Sequence, residues 1–276
     1  MVMLNSGRWD MQGGSVAGIE VRRMPARTDP CITRNGTEHV IKALGITWAP
    51  GQLASHPGVN GEYSVLRWTV PEFRLPSRIL DREVGRLLRM GVAFQGGRKL
   101  GKDLSVDELL KEHDAVLVAL GCPQSKKLGI AGEDLPGVVH ALPFLKSVRC
   151  GQRRIKGNKV VVIGGGDVAV DCAQTVRRLG ADPVVVISLE EESSLPAHPN
   201  VVTCAKAEGV VFRGAWGPQA IRAEGGRIEG VSLKKCVSVF DDDSKFRPVY
   251  DVCQTDFETA DLVIVAIGQC ADLTLL

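Results

Sequence analysis

Residues 159–179 read KVVVIGGGDVAVDCAQTVRRL, a buried-strand pattern that runs directly into a glycine turn and then a helix. The run Val160-Val161-Val162-Ile163 is β-branched throughout, the composition expected of a parallel strand covered on both faces. Gly164, Gly166 and Ala169 follow at the GxGxxA spacing, with Gly165, Asp167 and Val168 between them. Each position has a physical task. Gly164 permits the tight turn, Gly166 lets a pyrophosphate approach the backbone, and Ala169 lets the helix pack closely on the strand. The phosphates would rest on the free N–H groups at the start of a helix over 167–179. Gly164, Gly165, Gly166, Asp167, Val168 and Ala169 are therefore candidate cofactor-binding residues. The alternative is a glycine-tightened β–α turn with no ligand.

On either side of this unit lie two similar octets, DAVLVALG at 114–121 and DLVIVAIG at 261–268, which share the frame D-x-V-x-V-A-x-G. Both predict buried parallel strands that end on glycine. Ligands in open α/β sheets sit beyond the carboxyl ends of strands, so Gly121 and Gly268 join the candidate cofactor-binding positions; the alternative is two interior strands with a glycine where a loop must turn sharply. Pro71 and Pro76 fix an extended loop, after which Ser77 starts a helix to about Met90 with Ile79, Val84, Leu87 and Leu88 on one face. Further expectations are a strand at 92–94, a helix at 105–110, a strand at 184–188, a helix at 200–208 and a strand at 210–212. Residues 227–240 alternate like a hairpin arm that turns at Asp241-Asp242-Asp243-Ser244. That acidic turn lacks the further ligands calcium requires, and no metal site is expected. Residues 1–63 are the least legible. Gly13-Gly14-Ser15-Val16-Ala17-Gly18 hints at a phosphate loop, but Ser15 stands where the middle glycine belongs and no β-branched strand precedes it.

After the second strand of a nucleotide-binding unit, an acidic residue binds the ribose of NAD, whereas arginine accommodates the extra phosphate of NADP. Here the text is Ser188-Leu189-Glu190-Glu191-Glu192. Three carboxylates beside a 2′-phosphate would repel it, so NAD(H) is expected over NADP(H), with Glu190 as the ribose ligand; the alternative is a solvated acidic loop with no ligand.

The bulk composition is that of a globular protein, with 44% hydrophobic and 24% charged residues in 276. A net charge of +2 argues neither for nor against a polyanionic partner, and no basic stretch is interleaved with aromatics, so nucleic acid is not an expected partner. No apolar run approaches the roughly 20 residues of a membrane span, and the N-terminus lacks a signal layout, so a cytoplasmic protein is expected. The eight cysteines include no CxxC, which argues against zinc knuckles, iron–sulfur boxes and redox dithiols.

Taken together, VPEFRLPSRILDREV, DAVLVALG, GEDLPGVVHALPFL, the glycine-turn segment, LPAHPN, AEGVVF, KKCVSVFDDDSKFRPVYD and ADLVIVAIGQCADLTLL resemble one family. It is that of the FAD- and NAD(P)-dependent oxidoreductases related to the small (β) subunit of glutamate synthase. The resemblance spans about 66–276 in family order. It implies an α/β fold in which a Rossmann-like nicotinamide-binding domain is inserted in a FAD-binding domain, and electron transfer from NAD(P)H through FAD to a partner redox subunit. The loop Pro71-Glu72-Phe73-Arg74-Leu75-Pro76 would, by resemblance, lie near the flavin. Hydride passes directly between such cofactors, so no catalytic side chain is expected.

The chain departs from that pattern at three places. It has no convincing flavin-binding strand and GxGxxG turn upstream of the PEFRLP loop, no glycine–aspartate flavin motif after AIGQ, and no iron–sulfur cysteine cluster. It therefore reads as truncated at both ends, with an incomplete FAD-binding domain whose main motifs are missing. The expected segments are 1–65, poorly defined; 66–150, partial FAD-binding type; 151–262, NAD(P)-binding Rossmann domain; and 263–276, a return to the FAD-type domain. A non-catalytic dinucleotide-binding remnant or an interaction module is the competing reading.

Overall fold

The computed structural model describes residues 42–46, 64–89, 93–98, 100–113, 116–117, 119, 121–151, 155 and 158–271. The glycines at 13–18 lie outside them. In chain order the elements are β1 (Lys42–Ile46), α1 (Ser64–Trp68), α2 (Ser77–Arg89), β2 (Ala93–Arg98), α3 (Val106–Glu112), β3 (Gln124–Ser125), β4 (Val138–His140), α4 (Ala141–Arg149), β5 (Val160–Ile163) and α5 (Asp167–Arg178). They continue with β6 (Val184–Ile187), α6 (Pro199–Ala207), β7 (Val210–Arg213), β8 (Trp216–Glu224), β9 (Arg227–Phe240), β10 (Phe246–Thr259), β11 (Leu262–Val265) and β12 (Gln269–Cys270).

The chain divides into two compact units, the larger comprising 63–80 and 122–275, the smaller including 81–121. In the smaller, β1 and β2 pair in parallel, and α3 begins at a capping box in which Ser105 and Glu108 bond each other's backbone N–H.

The larger unit is built on a five-stranded parallel sheet of order β4-β11-β5-β6-β7. Its three central strands, VVVI, VVVI and LVIV, are buried at every residue. Successive side chains of a strand point to opposite faces, so such strands need cover on both sides. On one face Val160, Val162, Val184, Val186, Leu262 and Ile264 pack with Ala169, Ala173 and Val176 of α5, Phe144 of α4 and Ala205 of α6. On the other, Val161, Ile163, Val185, Ile187 and Val263 pack with Ile221, Ile228, Val231 and Leu233. Those last four belong to a three-stranded antiparallel sheet of order β10-β9-β8. Each valine or isoleucine buried in this way contributes about 1.5–3 kcal/mol. The sheet takes β4 from the segment assigned by sequence to the flavin-type domain, and β11 crosses the expected boundary at 262/263.

The two octets part company. Residues 262–265 form β11, hydrogen-bonded between β4 and β5. Of 114–121, residues 114, 115, 118 and 120 lie outside the described ones. Val116, Leu117 and Ala119 have no strand assignment, and Leu117 is 76% exposed. The expected buried strand is therefore not formed at those described positions. Similarly, α2 buries Leu80 and Val84, while Leu87, expected on the same face, is exposed.

Candidate functional site

The glycine turn stands at the carboxyl end of β5, at the centre of the parallel sheet. Gly164 donates its N–H to the Ile187 carbonyl at 2.8 Å and has φ +140°. A Cβ added there would lie 2.3 Å from the carbonyl oxygen of Ala266, just past β11. The protein itself thus requires glycine at 164. Ala169 is fully buried, its methyl 3.5 Å from that same point, which brings α5 down onto the strand.

Gly165 is crowded on its Cβ side by Glu190 Oε2 at 3.0 Å, Pro196 Cδ at 3.1 Å and Leu195 Cδ2 at 3.2 Å. Gly166 differs. It is the N-cap residue of α5, with φ −90° and ψ 174°, and a Cβ built on it would meet nothing within 4 Å. No described group accepts from the N–H of Gly165 or Gly166. The N–H groups of Asp167 and Val168 lie in the first turn of α5, where an α-helix supplies no acceptor. These donors, beside an open space at Gly166, face the positive end of a twelve-residue helix.

The segment after β6 is tied to this turn. Ala197 donates its N–H to the Gly165 carbonyl at 3.0 Å, and His198 donates its N–H to Asp167 Oδ1 at 2.8 Å. Val168 is half-buried against the helix-side core. Gly268 lies two residues past Ala266, with φ +101° and its carbonyl accepting from the Lys126 N–H. Gly121 belongs to the smaller unit, where a Cβ on it would meet nothing within 4 Å. The larger unit therefore gathers 164–169, Glu190 and Gly268, but not Gly121.

Beyond the ends of β6 and β7 opens a cavity of about 640 Å³ whose wall includes Glu191, Glu192, Lys206, Arg213, Trp216 and Lys235. Its loops are stitched together by backbone. Ala215 donates its N–H to the Glu190 carbonyl at 2.8 Å, and Trp216 donates to the Ser188 carbonyl at 2.9 Å. A Cβ on Gly214 would fall 2.5 Å from the Glu192 nitrogen, so the two loops touch through that glycine. Glu192 is ion-paired with Lys206. Arg213 bonds Asp256 and, at 2.6 Å, Glu258. The three cations were not singled out by sequence. They come from α6, β7 and β9, and no local motif joins them.

Behind the turn, Arg74 of the PEFRLP loop bonds Asp171 of α5 at 2.6 Å and also Gln174. Gln174 donates to Glu208 at 2.8 Å, as does Arg178, whose guanidinium lies 3.8 Å from the centroid of the Phe73 ring. Burial raises the carboxyl pKa of Asp171 in spite of Arg74, whereas Arg178 holds Glu208 below the ordinary carboxylate value. The loop that the resemblance would put near a flavin is thus bonded to α5 through Arg74. Among the described residues no group of three or more His, Cys, Asp and Glu could hold a metal ion, and no helix is long and apolar enough to cross a membrane.

A glycine turn at the centre of a parallel sheet, followed by a helix with free N-terminal amides, defines a dinucleotide-binding α/β protein. The chain belongs to the pyridine nucleotide-disulphide oxidoreductase family, whose model matches residues 87–276. Within it, the chain is related to the FAD/NAD(P)-dependent oxidoreductases of the glutamate synthase small-chain group. It is 37% identical over 213 residues to the NADP(+)-dependent formate dehydrogenase subunit beta of Moorella thermoacetica, covering 75% of this chain and 30% of that protein. It is 31% identical over 251 residues to the glutamate synthase (NADPH) small chain of Escherichia coli, covering 86% and 50%. The chain thus spans half or less of the length of these relatives. Among solved structures, Mycobacterium tuberculosis FprA in complex with NADPH matches with a TM-score of 0.63 at 17% identity, covering 75% of this chain and 62% of FprA. Lactococcus lactis thioredoxin reductase matches with a TM-score of 0.53, also at 17% identity, covering 76% and 67%. Both share the fold of the two-dinucleotide-domain reductases.

The curated relatives overturn the preference for NAD(H) over NADP(H), because the formate dehydrogenase subunit and the glutamate synthase small chain are both named for the phosphorylated nucleotide. The physical reason lies in the tertiary arrangement, where the three carboxylates of 190–192 do not act together: Glu192 is ion-paired with Lys206, and the wall that holds it also carries Glu191, Lys235 and an Arg213 that is itself bound to Asp256 and Glu258. Glu190 directs its carboxylate at Gly165 and is not part of that wall.

Proposed function

We propose that this chain is the nicotinamide-binding portion of a flavin-linked oxidoreductase. It binds NADPH at 164–169 and supports delivery of reducing equivalents to FAD and a partner redox subunit. The single observation that carries the reading is the pair of amides at Gly165 and Gly166 beside a Cβ space that no protein atom fills. A diphosphate needs such donors and such room, and the fold alone does not require the glycine at 166. When bound, the nicotinamide supplies hydride. The residues of the chain bind the diphosphate, fix its direction along α5 and hold the adjoining loops through Asp167 and Gly165.

The test is a fluorescence titration with NADPH on the wild type and on Gly166→Ala. The added methyl meets no protein atom, so the variant keeps its melting temperature, while NADPH affinity falls by about tenfold or more because the methyl occupies the phosphate approach. Unchanged affinity would remove the diphosphate from this turn. The visible spectrum of the purified protein tests the flavin part. Flavin absorbance that bleaches with NADPH supports electron transfer through this chain, and a colourless protein that binds NADPH supports nucleotide binding alone.

A further inference from the structure

We infer that the cavity between the PEFRLP loop, α4 and the C-terminal half of α5 is a binding site for a small, uncharged aromatic molecule that carries one hydrogen-bonding group. The inference does not depend on the NADPH reading, since none of its residues belongs to the glycine turn or to the wall beyond β6 and β7. The cavity holds about 320 Å³. Pockets for small molecules begin at roughly that size, and they combine a mostly apolar lining with a few placed polar groups.

The apolar lining is Leu145 and Val148 of α4, Leu179 at the end of α5, and Pro71 and Phe73 of the loop. Leu145 is buried and Phe73 is 36% exposed, so the lining runs from the core out to solvent. The charges around it are already compensated. Arg149 donates to the Arg67 carbonyl at 3.0 Å, to Ser77 Oγ at 2.9 Å and to the Glu72 carboxylate. Arg178 donates to both carboxylate oxygens of Glu208 and lies against the Phe73 ring. An anionic ligand would face the Glu72 carboxylate, and a cationic one the two guanidinium groups, so the ligand that fits is uncharged. Of the two threonines in the lining, Thr69 donates its hydroxyl to the Val65 carbonyl at 2.7 Å. Thr175 differs. It is 7% exposed, and its hydroxyl is buried with no hydrogen-bond partner. A helical threonine can return its hydroxyl to the carbonyl one turn back, and this one does not. Water is a poor substitute, because it needs about two to four polar partners and the other polar groups of this lining are paired. A planar ring meets both requirements. Its faces rest on the leucines, Val148 and Phe73, and its one polar atom pairs with the Thr175 hydroxyl.

The test is an NMR titration with three probes: indole, its isostere indene, which lacks the N–H, and the anionic analogue indole-3-carboxylate. In the wild type, indole should shift the Leu145, Val148 and Leu179 methyl signals saturably and bind about tenfold or more tightly than the carboxylate. Thr175→Val keeps the shape of the side chain and removes the hydroxyl. Its melting temperature should hold or rise, because an unpaired buried group is gone, while the preference for indole over indene falls by about fivefold, the worth of one hydrogen bond from the indole N–H to Thr175 Oγ1. Thr175→Ser should restore the preference. No saturable methyl shift with indole, equal binding of the carboxylate, or a preference unchanged in Thr175→Val overturns the inference. Should Thr175→Val fail to fold, the methyl shifts and the indole-to-carboxylate ratio of the wild type decide.

Discussion

The segments 114–121 and 261–268 are near-copies in sequence, yet Ile264 of the second is fully buried while Leu117, at the same place in the frame, is 76% exposed. The second segment has β4 on one side and β5 on the other, helices over one face and an antiparallel sheet over the other. It also closes the candidate site, since the Ala266 carbonyl occupies the space a side chain on Gly164 would need. Among the described residues of the first segment no such neighbours are paired. An apolar β-branched run qualifies a segment for a buried strand, but hydrogen-bonding neighbours and cover on both faces make it one.

The comparison breaks hardest at Gly164. Gly164→Ala forces a methyl into the Ala266 backbone at a φ that favours glycine, and should destabilise the larger unit by about 4 kcal/mol or leave it insoluble. Chemical denaturation would show this, and a stable variant would mean that β11 can move away from the turn.

A matched pair sharpens the contrast. Ile264→Ala should cost about 2–5 kcal/mol, as for other core truncations, and Leu117→Ala no more than about 0.5 kcal/mol. Similar losses in the two variants, measured in urea, would show that the first octet is buried after all.

The smallest effect concerns acid, in the network behind the turn. The Glu208 carboxyl is held below its ordinary value of 4.5, first by the hydrogen bond from Arg178. A folded-state value below the unfolded one stabilises the protein above that ordinary value and loses the contribution as pH falls through the folded value. Glu208→Gln should therefore cost about 0.5 kcal/mol at neutral pH, discounted for its partial exposure, and nothing at the acid end. Asp171 runs the other way. Burial raises its carboxyl pKa, so its contribution is greatest in acid and declines as pH rises through the folded value. Melting curves of wild type and Glu208→Gln across roughly pH 3–7, the carboxylate range, separate the two, because only the pH dependence due to Glu208 disappears in the variant.

Much of the larger unit could be read without coordinates. The continuous β-branched runs at β5 and β6, the glycine spacing, the helix start at Ser77 and the hairpin arm at 227–240 are local signals, carried by side chains within a few residues of one another, as is the helix start at Ser105 in the smaller unit. The site was legible on its strand side, where Gly164 to Ala169 are consecutive. Its far wall was not, because Lys206, Arg213 and Lys235 are each ordinary surface-type residues in their own elements and acquire meaning only when β6, β7 and β9 bring them to one cavity. The acidic run at 190–192 misled for the same reason, since the partner of Glu192 lies fourteen residues away on α6.

Residue order alone thus settled that a β–α unit with a glycine turn stands in this chain, since β-branching, missing Cβ atoms and helix capping act within a few residues. Tertiary packing decided which of two similar octets becomes a strand, which of two neighbouring glycines the fold itself needs, and which charges share one cavity wall. Burial and the distance between charges are set by segments far apart in the chain, and no local pattern records them.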